Sequence, residues 1–160
     1  MINTRTTRVS IISGTTIGTI AIGGFPALFL IANIADINAF IEFLSLVTRL
    51  LLLGAISGFL MGLANGILMS IIVFDHPQSR SFSRRLMCIV ANLLVDAAIG
   101  LVPLYESPHI LLADPNNGVF DGMALVLTML FFSLPPTVFT IFLMAVIVPW
   151  VMFGRRYYYS

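Results

Sequence analysis

The sequence predicts an all-α integral membrane protein, a bundle of four transmembrane helices with both chain ends in the cytoplasm. Of its 160 residues, 59% are hydrophobic and only 9% are charged, whereas an ordinary soluble domain carries about 25% charged residues. The mean hydropathy is +1.04, and the apolar residues form long runs. These observations exclude a soluble globular fold, and we expect a single transmembrane domain over residues 1–160.

Four apolar runs are long enough to cross a bilayer as helices. A hydrocarbon core of about 30 Å needs about 20 helical residues. The predicted spans cover residues 9–33, 45–74, 86–105 and 122–153. The second and fourth runs are longer than a straight crossing needs, so we expect these helices to tilt, kink or continue along the interface. Neither run is long enough for two crossings, which makes six spans the less favoured interpretation.

The first run is expected to stay in the protein as a membrane span. A signal peptide has a shorter apolar core, followed by a cleavage site of small residues. Gly23, Gly24 and Pro26 are a poor version of such a site. We therefore interpret the run as a retained first helix.

The distribution of charged residues predicts the orientation of the bundle. Arginines lie before span one, between spans two and three, and after span four, and most acidic residues fall in the other two loops. Because cytoplasmic loops accumulate positive residues, both ends are expected on the cytoplasmic side. A plasma or inner membrane is favoured. A mitochondrial inner membrane, with the matrix in place of the cytoplasm, remains an alternative.

Span two contains the most specific motif, a run of glycines at strict four-residue spacing. Its members are Gly54, Gly58, Gly62 and Gly66, and Gly14 and Gly18 form a weaker counterpart in span one. Each glycine costs a helix about 1 kcal/mol relative to alanine. In lipid, such a stripe lets two helix backbones approach closely. The glycines are expected either to pack spans one and two within one chain or to contact another chain.

Asp96, near the middle of span three, is the candidate intramembrane polar site. An ionisable group at this depth is costly and must face protein or water. Asn92 lies one turn before it on the same face, and Asn65 in span two lies at a matching depth, about 15 Å from the cytoplasmic end of its helix. Asp96 is expected either to relay a proton or cation, or to act as a neutral carboxyl group that hydrogen-bonds the helices together.

Pro135 and Pro136 are expected to bend span four. Each proline lacks a backbone N–H, so the carbonyl four residues earlier loses its partner. The hydroxyl groups of Ser133, Thr137 and Thr140 could satisfy the freed carbonyls. A broken helix at this depth can line a transport site, although ordinary helices bend in the same way.

Arg49 is the one arginine expected at the outer end of the bundle. It can reach the interface and form an ion pair there, with Glu42 as its first candidate partner. His76 and His109 are predicted on opposite sides of the membrane, so no metal site is expected. The single cysteine, Cys88, cannot form an internal disulfide bond.

No pattern of catalytic residues supports an enzyme. The sequence has no Gly-x-Ser-x-Gly elbow, no His-Glu-x-x-His motif and no lysine, which excludes a lysine Schiff base and a phosphate-binding loop of the usual type. We expect no cofactor. The near-neutral charge also argues against nucleic acid as a partner, which leaves the lipid bilayer and other membrane subunits or a second copy.

Two segments resemble parts of known membrane proteins. The stretch from Gly54 to Gly62, followed by Asn65, is similar to the glycine-rich third helix of the membrane substrate-binding components of vitamin transporters. Those proteins usually have six helices. The spacing of Asn92, Asp96, Gly100 and Pro103 resembles a family of membrane proteins of unknown function. Each resemblance covers one segment, and neither assigns a family.

The sequence supports two expectations of function. The first is a non-catalytic membrane subunit that packs through its glycine-rich helices into an oligomer or a larger membrane complex. The second is a small transporter or channel that handles an ion or small solute through the polar site at Asp96. In the first, the glycine stripe carries the function through helix packing. In the second, the polar site carries it by handling an ion or small solute.

Overall fold

The computed structural model describes residues 4–32, 40–74, 82–111 and 127–150, and every one of them is helical. Four helices in this part of the chain are long and apolar enough to cross a membrane. We call them spans one to four: Thr4–Leu28, Leu44–Ile72, Ser83–Ile110 and Met129–Trp150. The prediction of an all-helical chain with four such helices is confirmed, and the fold is compatible with a multi-pass membrane protein.

The spans combine regular α-helix with wider π-helical turns. Span one contains α1 (Thr4–Gly18), a π-helical segment (Thr19–Gly24) and α2 (Phe25–Ala32). Span two contains α3 (Phe40–Met69), which continues as a π-helical turn (Ser70–Phe74). Span three is α4 (Phe82–Leu111). Span four contains a π-helical turn (Met129–Ser133), α5 (Leu134–Phe142) and a second π-helical turn (Leu143–Ile147).

Span three extends further than the sequence predicted. We expected it to end near residue 105, but α4 continues through Pro103 and Pro108 to Leu111. Both prolines are fully buried. Packing around them offsets the lost backbone hydrogen bonds, so the tertiary context overrides the local helix-breaking tendency.

Neighbouring spans run antiparallel. In spans one and two, Gly14 lies against Gly62 while Gly23 lies against Leu51, so residue numbers rise in one helix as they fall in the other. Spans three and four are joined by the Ser107 and Ser133 side chains near the end where span three stops and span four begins. Further along both helices, Gly100 lies against Thr137 and Ile141.

Spans two and three must also be antiparallel because the chain between them is short. The eight residue steps from Phe74 to Phe82 reach at most about 29 Å. The 29-residue helix of span two is about 44 Å long, so span three has to start at the end where span two stops. The first residues of span one and the last residues of span four therefore lie at the same end of the bundle.

The glycines of spans one and two form one continuous contact, which we call the glycine seam. It consists of Gly14, Gly18, Gly23, Gly54, Gly58, Gly62 and Gly66. A Cβ atom on Gly18 would lie 2.7 Å from the Gly58 Cα atom, and one on Gly66 would lie 2.7 Å from the Thr7 Cα atom. Because most of the opposing atoms are backbone atoms, no side chain can move aside to make room.

The glycine seam lies within one chain. Of the two arrangements left open by the sequence, the structure has spans one and two packed against each other along all six of the predicted glycines. The seam explains why four glycines are tolerated in one helix, because close backbone contact offsets their helix-propensity cost.

The seam predicts that Gly58→Ala destabilises the protein. The added methyl group would meet the Gly18 Cα atom at 2.9 Å, and overpacking of this kind costs about 1–3 kcal/mol. The gain in helix propensity returns only about 1 kcal/mol. We expect a lower thermal midpoint in detergent, measured by circular dichroism.

Gly24→Ala is the matched control. Its added methyl group would have the Thr19 carbonyl oxygen as its nearest neighbour, at 3.5 Å, which is ordinary van der Waals contact. The control is expected to be as stable as the unmodified chain or slightly more so. Equal midpoints for Gly58→Ala and Gly24→Ala would contradict the seam.

Candidate functional site

Asn65 joins three spans through one side chain. It lies on α3, its Nδ2 atom donates to Asp96 Oδ2 on α4 at 2.8 Å, and the same nitrogen donates to the backbone carbonyl oxygen of Met144 in span four at 3.3 Å. We call Asn65, Asn92, Asp96 and the Met144 carbonyl the polar junction. Its three polar side chains each have a relative solvent exposure of 0%.

The Met144 carbonyl accepts from Asn65 because its own helix provides it with no donor. In a regular α-helix its partner would be the N–H of Val148, but that group donates to Leu143, five residues back. A π-helical bond would need the N–H of residue 149, which is Pro149 and has none. In the low-dielectric interior of the bundle an unpaired carbonyl is costly, and Asn65 supplies the missing hydrogen bond.

The two bonds of Asn65 fix the orientation of its amide group. The Met144 backbone oxygen can only accept a hydrogen bond, so the nitrogen of Asn65 must face it. The same nitrogen then faces Asp96 Oδ2. This arrangement leaves the Asn65 Oδ1 atom buried with no protein hydrogen-bond partner.

Two further oxygens of the polar junction are unpaired. Asp96 Oδ1 and Asn92 Oδ1 are both buried without a protein partner. The Asn92 Nδ2 atom lies 3.9 Å from the Cys88 sulfur, one helical turn earlier, so the oxygen lies on the other edge of the amide. Buried polar groups are nearly always satisfied, and a carboxyl with two amide oxygens can accept a proton or a small cation.

Buried hydroxyl groups continue from the polar junction toward the end of the bundle where span three stops and span four begins. We call Ser107, Ser133, Thr137 and Thr140 the hydroxyl row, and all four are buried. The Ser107 and Ser133 oxygens are 2.5 Å apart, and Thr137 Oγ1 has no protein partner. From Ser133 to Met144 the row and junction extend about 16 Å along span four.

Pro135 and Pro136 lie in the first turn of α5, directly after a π-helical turn. The Leu134 N–H donates to the Met129 carbonyl, five residues back, which is a π-helical hydrogen bond. The expectation that nearby hydroxyls satisfy the freed carbonyls stays a prediction. Ser133 hydrogen-bonds to Ser107. Thr140 donates to the Pro136 carbonyl at 2.8 Å, which is not one of the carbonyls that lose a backbone donor to a proline.

The predicted pair of Arg49 and Glu42 stays a prediction. Arg49 is exposed, but the side chain of Glu42 is outside the part of the chain whose side chains the structure describes. At the opposite end of the bundle, Arg5 and Arg8 begin span one and Arg84 and Arg85 begin span three. Four of the arginines that predicted the orientation therefore lie at one end.

Within the described residues, no group of three or more His, Cys, Asp or Glu side chains could hold a metal ion. His109 instead lies beside Tyr105, with ring centroids 4.8 Å apart. Cys88 is buried as a free thiol. Oxygen atoms from carboxyl, amide and hydroxyl groups are thus the ligands that the candidate site offers.

The Met144 carbonyl is the member of the site that sequence reasoning missed. The residue type gives no signal, because every residue has a backbone carbonyl. The available signal was Pro149, five residues later, which removes the donor that a widened turn would need. Asn65 and Asp96, which the structure brings into direct contact, are the two side chains that the depth estimate paired.

No protein-family model matches the chain, and no similar protein was found among curated proteins or solved structures. Neither segment resemblance therefore extends to a match of the whole chain. The function has to be argued from the geometry of the bundle and its polar junction.

The junction predicts measurable coupling between Asn65 and Asp96. A double-mutant cycle of Asn65→Ala and Asp96→Ala is expected to give an interaction energy of about 0.6–1.7 kcal/mol, the range measured for hydrogen bonds between membrane helices. The measurement is reversible unfolding in mixed detergent micelles. Pairing Thr48→Ala with Asp96→Ala is the control, because the exposed Thr48 hydroxyl bonds only within its own helix. Equal coupling in both cycles would contradict the assignment.

Proposed function

We propose that this chain is a non-catalytic, multi-pass membrane protein that binds a proton or small cation at the polar junction as part of an ion or small-solute transport function. The observation that carries the proposal is the set of unpaired, fully buried oxygens on Asn65, Asn92 and Asp96. An intramembrane carboxyl group with polar neighbours is a functional site by default. The glycine seam, by contrast, is already used inside the chain.

The position of the polar junction supports this proposal. It lies where three spans meet, and one of those spans has π-helical turns on both sides of α5. Such turns are frequent at functional sites, and discontinuous helices position binding groups in several transporters. The hydroxyl row provides polar groups between the junction and the outer end of the bundle, as an ion path requires.

We also propose the orientation predicted by the arginines, with both chain ends in the cytoplasm and the hydroxyl row opening toward the outer side. The four arginines at one end of the bundle support it. A plasma or inner membrane is favoured, with the mitochondrial inner membrane as the alternative. Labelling of single cysteines introduced at Thr4 and Trp150 in a Cys88→Ser background should show both sites on the cytoplasmic side, and labelling from opposite sides would contradict the topology.

The second candidate is a non-catalytic subunit of an oligomer or larger membrane complex. One side of span four favours it, since large apolar side chains are exposed there at helical spacing: Phe131, Val138, Phe139 and Phe142. Lipid can cover this face equally well. Copurification in mild detergent distinguishes the candidates, because a stoichiometric set of other subunits supports the complex and a chain that purifies alone opposes it.

The transport proposal predicts that Asp96→Asn abolishes flux. The amide keeps the shape of the side chain but cannot carry a charge or release a proton. In vesicles reconstituted with the purified chain, we expect the unmodified protein to dissipate an imposed proton or sodium gradient and Asp96→Asn to act like protein-free vesicles.

Glu106→Gln is the matched control for this experiment. It makes the same chemical change at an exposed position of span three and is expected to retain flux. Size-exclusion chromatography and circular dichroism establish that both variants are folded. Flux through folded Asp96→Asn at the unmodified rate would remove Asp96 from the mechanism, and no flux through the unmodified chain would contradict transport itself.

A further inference from the structure

The unpaired oxygens of the polar junction belong to three buried side chains that are in contact or are neighbours on one helix. Asp96 Oδ1 is bonded to the same carbon as Oδ2, which Asn65 contacts at 2.8 Å. Asn65 Oδ1 belongs to the amide that makes this contact, and Asn92 lies one helical turn from Asp96, where Cβ atoms are about 5–6 Å apart. Because the three side chains are neighbours, their unpaired oxygens are candidate ligands for one shared small group.

We propose that the polar junction binds one alkali cation of the sodium class, coordinated by Asp96 Oδ1, Asn65 Oδ1 and Asn92 Oδ1. The inference rests on the proposed function and names its ligand. A proton on Asp96 Oδ1 would pair with only one of the two amide oxygens and leave the other buried and unsatisfied. A cation accepts electron pairs from all three at once.

The charge of the site selects a monovalent ion. Among the polar junction side chains, Asp96 alone can carry a negative charge, so sodium and an ionised Asp96 form a neutral unit. A divalent ion would leave a net positive charge in the interior of the bundle, which is strongly disfavoured.

The ligand type selects a hard cation. Carboxylate and amide oxygens suit alkali and alkaline-earth ions, whereas copper and zinc sites are enriched in nitrogen and sulfur ligands. The Cys88 sulfur faces the nitrogen edge of Asn92 rather than its oxygen. Asn65 meanwhile retains its contact with Asp96 Oδ2, which holds the carboxylate in a fixed orientation.

The test is equilibrium binding of radioactive sodium to the purified full chain in detergent, at constant ionic strength maintained with choline chloride. We expect saturable binding of one sodium per chain, displaced by unlabelled sodium but not by choline or by calcium. Absence of saturable binding, or displacement by calcium at lower concentration than by sodium, would overturn the proposal.

Two variants locate the site. Asp96→Asn is expected to abolish binding, whereas Glu106→Gln retains it. Asn92→Leu, which fills the same volume without an oxygen, is expected to weaken binding at least tenfold, whereas Ser70→Ala, which removes a buried hydroxyl group in span two, is expected to leave it within twofold. Unchanged affinity in Asn92→Leu overturns the coordination set, even where Asp96→Asn fails to fold.

The outcome separates this inference from the proposed function. If the purified chain binds no sodium but still carries a proton flux that Asp96→Asn abolishes, the ligand is a proton, and the cation inference fails while the transport proposal survives. If sodium binds but no flux occurs, the site exists and the transport proposal fails.

Discussion

The backbone carbonyl of Met144 needs a hydrogen-bond donor from another helix, and this need organises the polar contacts among spans two, three and four. Pro149 cannot donate and Val148 donates to Leu143, so the Met144 oxygen has to find a donor outside span four. Asn65 is that donor, and its nitrogen then also holds Asp96. Because no water is available in a hydrocarbon core to substitute for any of these partners, spans two, three and four are held in one arrangement.

The glycine seam holds spans one and two together through a different kind of contact. The stripe on span two places its Cα hydrogens against carbonyl oxygens of span one, as in the approach of Gly58 to Gly14 and of Gly62 to Ser10. This is the arrangement of weak Cα–H···O contacts, each worth about 0.5–1 kcal/mol. Span two thus takes part in both sets of contacts, with its glycines facing span one and Asn65 facing spans three and four. It is the common neighbour of the other three spans.

Much of this arrangement was predictable because it follows from the spacing of residues along each helix and from the depth counted along it. Four-residue spacing places Gly54 to Gly66 on one helix face, and counting residues from the cytoplasmic end brings Asn65 level with Asp96. The widened turns of span four and the continuation of α4 through Pro108 were not predictable. They depend on whether a freed carbonyl finds a partner in another helix, and that is decided by packing between segments far apart in sequence.

The position of the polar junction beside a π-helical turn would link the proposed ion binding to the geometry of span four. A cation that draws Asn65 Oδ1 toward Asp96 constrains the amide whose other edge bonds to Met144. If that bond weakens, the Met144 carbonyl loses its only described donor, and the Leu143–Ile147 turn becomes costlier to maintain. Binding at the site and the conformation of span four would therefore be thermodynamically coupled. This coupling would allow a single buried carboxyl group to influence the conformation of a neighbouring helix.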